Sequence, residues 1–322
     1  PPVLAIASEP VISTPTPNAA RGTWVGPAMA LGAMSGFAAT TILAKFAYAS
    51  GANALTLLLF RHLFVPAALA GYFVLSGRRM SLPRPMRRRA LFLGLVLSCN
   101  SIGYIASVRY IPVSLAVLIF YTYPLIVALL SRAIDKRPLG TARLAALACA
   151  FVGLGLLLGA GRESNLDGRG IALAALAAVS LGNVLFWSDR LLGQAHADKD
   201  ADPLAVKLHL LVGCGAGVVF AFLAFGAFVP PGTDAGLIAA AGFALIYLAS
   251  FVTLFTALPM LGAVKASLLA NIEPVVTLIL AALLLGERLA PVQALGGVLV
   301  IGAIVATQLA ERGAKPLVEP LD

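Results

Sequence analysis

Charged side chains are scarce in this sequence: Asp, Glu, Lys and Arg together make up 11% of its 322 residues, against about a quarter in ordinary soluble domains. So little charge cannot solvate the surface of a globule. With 60% apolar residues and a mean hydropathy of +0.95, the chain reads as an integral membrane protein, not as the two or three soluble domains its length alone would suggest. Cysteine is equally sparse. Cys99, Cys149 and Cys214 all fall inside apolar runs, which excludes a disulfide framework or a CxxC metal site and leaves them as small helix-packing residues. His62, His196 and His209 are scattered, and neither HExxH nor GxxxxGK[ST] occurs, so a metallohydrolase or direct ATP drive within this chain lacks its residues. No catalytic residue, metal or cofactor is expected. Alternating apolar and polar stretches of barrel type are also missing, which excludes a membrane β-barrel.

What the sequence does contain is apolar runs, ten of them, at about 24–49, 53–76, 89–109, 113–132, 140–160, 169–189, 204–229, 235–257, 263–285 and 290–310. Each is close to the roughly 20 residues that cross a bilayer as a helix, and each is apolar on all sides. The expected fold is therefore all-α, a polytopic bundle of ten transmembrane helices with short connections. Residues 1–23 hold five prolines with Ser, Thr and Glu9, and lack a basic start and an apolar core. They read as a disordered tail, not a signal peptide, and 311–322 as a second tail.

The net charge of +9 would suggest nucleic acid in a soluble protein. Here the basic residues sit between apolar runs, where they set orientation, and no nucleic-acid partner is expected. Seventeen of the 23 basic residues fall on one side of the membrane, Lys207 counted among them, and four, Arg109, Arg162, Arg169 and Arg288, on the other. Lys45 and Arg61 lie inside helices. The positive-inside bias places both termini in the cytoplasm, and the expected location is the inner cell membrane. The cluster from Arg78 to Arg89 reads as a cytoplasmic retention signal.

The two halves are related. Shifting the chain by 150 residues lays Ala116, Leu118, Pro124, Leu130 and Leu139 on Ala266, Leu268, Pro274, Leu280 and Leu289, and a shift of 145 lays Ser35 and Lys45 on Ser180 and Arg190. Five helices is an odd number, so the second copy enters the membrane upside down, giving two inverted five-helix repeats. The units are expected at 24–160 and 169–310, joined by a linker at 161–168.

Against this background, LLFRHLFVPAAL in the second run, CNSIGYIASVRYIPVSLAVLIFYTYPL through the third and fourth, and NIEPVVTLILAALLLGERLAPVQALGGVLVIGAI through the ninth and tenth resemble the EamA-type drug/metabolite transporters. Arg61, Glu273-Pro274 and Gly286-Glu287-Arg288 carry the resemblance most specifically; the first unit departs from it with Asp135-Lys136-Arg137. The resemblance implies a permease for small metabolites, often an exporter of amino acids or related compounds, coupled to an ion gradient or to exchange. Its expected partners are a small-molecule substrate, the lipid bilayer, and protons or a counter-substrate, with a homodimer as a further assembly. A channel or an intramembrane enzyme is the competing class.

Pro124 and Pro274 each remove a helical hydrogen bond, freeing the carbonyls of Phe120 and Ala270 at membrane depth for a kink or for substrate. Glu273 lies about ten residues into the ninth run and is the only acid in the interior of any run. A carboxylate there needs a partner. Arg61 is the best by depth and Lys45 the second, as an ion pair or a coupling site. Asn100, Tyr104, Tyr121, Tyr123, Asn183, Trp187 and Asn271 are expected to line a central substrate pathway, with Asn100/Tyr104 and Asn183/Trp187 each sharing a helix face. The glycine pairs Gly32/Gly36, Gly155/Gly159 and Gly213/Gly217 are expected as helix contacts.

Overall fold

The computed structural model describes residues 17–136, 141–159, 167–286 and 290–313. It contains twelve helices: α1 (Pro17–Ala49), α2 (Ala54–Ser76), α3 (Arg84–Ser107), α4 (Val113–Phe120), α5 (Tyr123–Asp135), α6 (Thr141–Leu158), α7 (Gly168–Ala197), α8 (Pro203–Phe225), α9 (Asp234–Leu261), α10 (Ala263–Ala270), α11 (Ile272–Leu285) and α12 (Pro291–Gly313). Twelve helices make ten membrane crossings. Eight crossings are long and apolar enough by themselves, counting α4 with α5 and α10 with α11, and the shorter apolar stretches Leu144–Leu158 and Pro291–Ala306 complete the set.

The ends of several runs move. α1 begins at Pro17, so 17–23 are drawn as helix ahead of the apolar span Trp24–Ala49, while 1–16 and 314–322 lie outside the described residues. α3 starts at Arg84, with Pro85 in its first turn, which puts the arginines from Arg84 to Arg89 on helix. α7 runs to Ala197, eight residues beyond the apolar run, because the polar residues that end the run find partners within the bundle. Lys207 is buried inside α8, its Nζ donating to the Val252 carbonyl at 3.3 Å and to the Thr256 hydroxyl. It is not a loop cation.

The prolines mark local irregularities in the fourth and ninth crossings. Regular helix is interrupted for one or two residues while the backbone stays right-handed (Thr122 φ −76°, Asn271 φ −62°), so each crossing continues through a tightened turn as the prolines lead one to expect. α4 stops at Phe120 and α5 restarts at Tyr123, with Thr122 N–H bonding back to Ile119 at 3.1 Å in a tightened turn; α10 stops at Ala270 and α11 restarts at Ile272. Pro124 and Pro274 stand second and third in the restarted helices, where a missing N–H costs nothing. Pro27, Pro66 and Pro259 sit inside α1, α2 and α9 without breaking them, so proline alone does not decide where the chain breaks.

The repeat is visible in the packing. α1 lies antiparallel along α9 and α7 antiparallel along α3, the same contact in the two units. α6 and α12 pair with each other at one side, where Gly153 and Gly296 bring the backbones together. Gly94 of α3 and Gly213 of α8 leave room only for each other's backbone. Of the expected glycine contacts, Gly36 meets Ser250 and Gly217 meets Ser98, whereas Gly32, Gly155 and Gly159 face open space. Lys136 and Gly286, 150 apart, both end their helices in the left-handed conformation (φ 54° and 68°). That accounts for glycine in the second unit; Glu287, Arg288 and Arg137 lie outside the described residues.

Candidate functional site

Two ends of the bundle differ, and the difference defines the site. At the end where α1 begins and α12 finishes, here the terminal face, α5 packs against α10. Arg190 of α7 pairs with Asp135 at the last residue of α5. Its neighbour Asp189 accepts the backbone N–H of Ala263, the first residue of α10, at 3.0 Å, a carboxylate on a helix N-terminus supplied from another helix. Arg78, after α2, forks onto Asp202 before α8 at 2.9 and 3.1 Å. Hydrogen bonding to that carboxylate raises the Arg78 guanidinium above its ordinary value, although the pair is open to solvent. The terminal face is closed.

Toward the opposite end, the repeat counterparts stay apart: α11 and α4 scarcely meet, and α2 packs far less against α9 than α8 does against α3. Between them lies a cavity of about 610 Å³. Its lining runs from Phe251, Leu254 and Phe255 at mid-bundle to Tyr48, Ala54 and Val113 at the far end. Tyr48 and Val113 are 43% and 59% exposed, whereas Phe251 and Phe255 are buried, so the lining is more accessible toward the far end.

The residues expected from the sequence divide. Asn100, Tyr104, Tyr123, Lys45, Arg61 and Glu273 all line this cavity. Asn100 donates to the Ala177 carbonyl at 3.2 Å, tying α3 to α7, and the Tyr104 ring packs on Phe120. Tyr121 is buried behind the wall, ring against Phe120 and Tyr123, and is the side chain that reaches the Glu273 carboxyl. Asn271 is buried at the break in the ninth crossing, bonded to Leu268. Asn183 and Trp187 do not belong: Asn183 bonds its own helix at Val179, and Trp187 is 40% exposed on the outer side of α7, packed on Phe186. They share a face, as spacing requires, but the face points away from the cavity.

Arg61 and Glu273 line the same cavity but form no ion pair. Glu273 lies in the first turn of α11. Tyr121, not Arg61, is the side-chain partner of the Glu273 carboxyl. Arg61 instead places its guanidinium 4.0 Å over the Tyr247 ring and 5.3 Å from that of Phe243. Pro124 and Pro274 are buried and line nothing; the residue before each, Tyr123 and Glu273, does. These two are equivalent under the 150-residue shift. His62 is buried with Nδ1 on the Leu58 carbonyl, and His209 bonds Ala205 in its own helix.

Asp189, Arg190 and Asp135 were not singled out as site residues. Asp189 ends an apolar run, and its signal would have been an Asp-Arg pair on a helix that continues past the run.

A solved crystal structure shares this fold, with a TM-score of 0.72 at 17% identity over 89% of this chain and 98% of that one. Among curated protein sequences none matches. The model of the EamA-like transporter family matches residues 24–159 and 168–308, the two repeats, and the chain belongs to that family.

Proposed function

We propose that this chain is a secondary-active transporter that moves small metabolites, amino acids or related compounds, across the inner cell membrane by alternating access, in the direction of export and coupled to protons or to exchange. The observation that carries the reading is a cavity whose lining is buried toward the terminal face and exposed toward the other, with Tyr123 and the acid Glu273 at equivalent proline-marked irregularities of the two repeats both on its wall. A channel needs a path continuous through the membrane, whereas Phe251 and Phe255, with the ties at Asp189 and Arg190 beyond them, stand in the way. The basic bias supports a cytoplasmic terminal face, which makes this the outward-facing state. Asn100, Tyr104 and Tyr123 then contact substrate, and Glu273 exchanges a proton with it.

The test is uptake and counterflow in proteoliposomes over amino acids, nucleosides and sugars, with pH and sodium gradients varied separately. Saturable counterflow of one class supports the reading. Flux that never saturates and shows no counterflow would indicate a channel.

A further inference from the structure

Arg61 has an unusual position for a guanidinium. It is the eighth residue of α2 (Ala54–Ser76), within a membrane crossing, and forms no ion pair with any described carboxylate. Its Nε–H is buried and has no hydrogen-bond partner. Tyr247 and Phe243 stabilise the charge through their rings, but a ring face satisfies few of five N–H donors. The charged residues on the cavity wall are Arg61, Lys45 and Glu273, and Arg61 pairs with no described carboxylate and no described backbone carbonyl. Most of the remaining wall is apolar, with Leu57, Leu58 and Leu97 beside the aromatic residues. An arginine held over an aromatic ring, short of acceptors and facing an apolar chamber, is complementary to a carboxylate that brings an apolar body with it.

We propose that Arg61 is the carboxylate-binding residue of this cavity and that the substrates are small carboxylates with an apolar body. The proposal rests on the transport reading and narrows its substrate class. A cavity of about 610 Å³ is in the usual range for small-molecule sites and holds a branched-chain acid with room for its solvation.

The probes are N-acetyl-leucine and N-acetyl-leucinamide, nearly isosteric and differing in the charge of one end. Binding is measured on the full chain in detergent by calorimetry. The wild type is expected to bind the acid about tenfold or more tighter than the amide, since a bidentate pair is lost with the charge. Arg61→Gln should erase that preference while leaving amide binding in place. Arg61→Lys, which keeps the cation and loses the fork, should weaken the acid several-fold and leave the amide unchanged; it also serves if the Gln variant does not fold. Equal binding of acid and amide by the wild type, no binding of either, or a preference that survives both substitutions overturns the proposal. Counterflow of the radiolabelled probes separates the two readings. Acid-selective binding without counterflow sinks transport and leaves Arg61 assigned, whereas counterflow of both probes without preference sinks Arg61 and leaves transport.

Discussion

The closed terminal face gives the most direct test of the alternating access proposed above. Asp189 holds the first N–H of α10 at 3.0 Å, and Arg190 beside it holds Asp135 at the end of α5, so two adjacent residues of α7 clamp the two half-helices that must separate for the cavity to open there. A carboxylate cap on a helix N-terminus contributes about 1 kcal/mol. The Arg190–Asp135 pair, with 27% and 28% of its side chains exposed, adds up to about 1 kcal/mol. Replacing both, as Asp189→Ala with Arg190→Ala, removes about 2 kcal/mol from the closed arrangement and shifts the ratio of the two states roughly 30-fold, because 1.4 kcal/mol is a factor of ten. Spin labels at Ala133 on α5 and Met260 at the end of α9, on a background lacking Cys99, Cys149 and Cys214, report the separation by double electron–electron resonance. The wild type should give one short distance and the double variant a second, longer one, with Asp189→Asn intermediate. If the variant's distribution is that of the wild type while it remains folded, these contacts do not hold the gate, and the asymmetry between the two faces has another origin.

Glu273→Gln is expected to fold and to keep exchange while losing the dependence of transport on a pH gradient, measured in proteoliposomes; unchanged pH dependence would make Glu273 structural only. Lys136 carries φ 54° where its counterpart is Gly286, so Lys136→Gly should raise stability by about 1 kcal/mol, seen as a higher melting temperature in detergent. Gly94→Val should abolish a monodisperse size-exclusion peak, because the added carbons meet the backbone of Leu210 and Gly213, whereas Gly32→Val, in open space, should leave it unchanged.

The crossings and the repeat were readable in the sequence because bilayer thickness fixes run length and because identical prolines recur at a fixed shift. The limits are equally physical. Hydropathy ends α7 at Asp189 since a polar side chain looks like a boundary, although Asp189 and Arg190 have partners on α10 and α5 and the helix continues to Ala197. Periodicity puts Asn183 and Trp187 on one face without saying which way that face points, and the same rule applied to Asn100 and Tyr104 reaches the cavity. Depth along a helix made Arg61 the natural partner of Glu273. Depth gives no lateral position, and it says nothing of Tyr121, which reaches the Glu273 carboxyl instead.

Where the repeats are equivalent they form the scaffold, and where they differ they place the chemistry. Tyr123 and Glu273 occupy matching positions, each just before the proline of a restarted helix and each on the cavity wall. One copy offers a phenol and the other a carboxyl, so the two sites are chemically unequal although the backbone repeats. The capping is likewise one-sided. α10 has Asp189 on its first N–H, whereas α4, which begins at Val113 after Pro112, has no side-chain cap, and the 145-residue shift that lays Arg190 on Lys45 lays Asp189 on Ala44. A carboxylate on one half-helix and an alanine at the equivalent place favour closure at the terminal face and leave the other face free to open. Replacing Ala44 with Asp is therefore expected to close the opposite mouth. The Ala44→Asp protein should lose access of a membrane-impermeant thiol reagent to a cysteine placed at Tyr48, and access equal to that in the Tyr48→Cys parent would show that local capping does not set which face is shut.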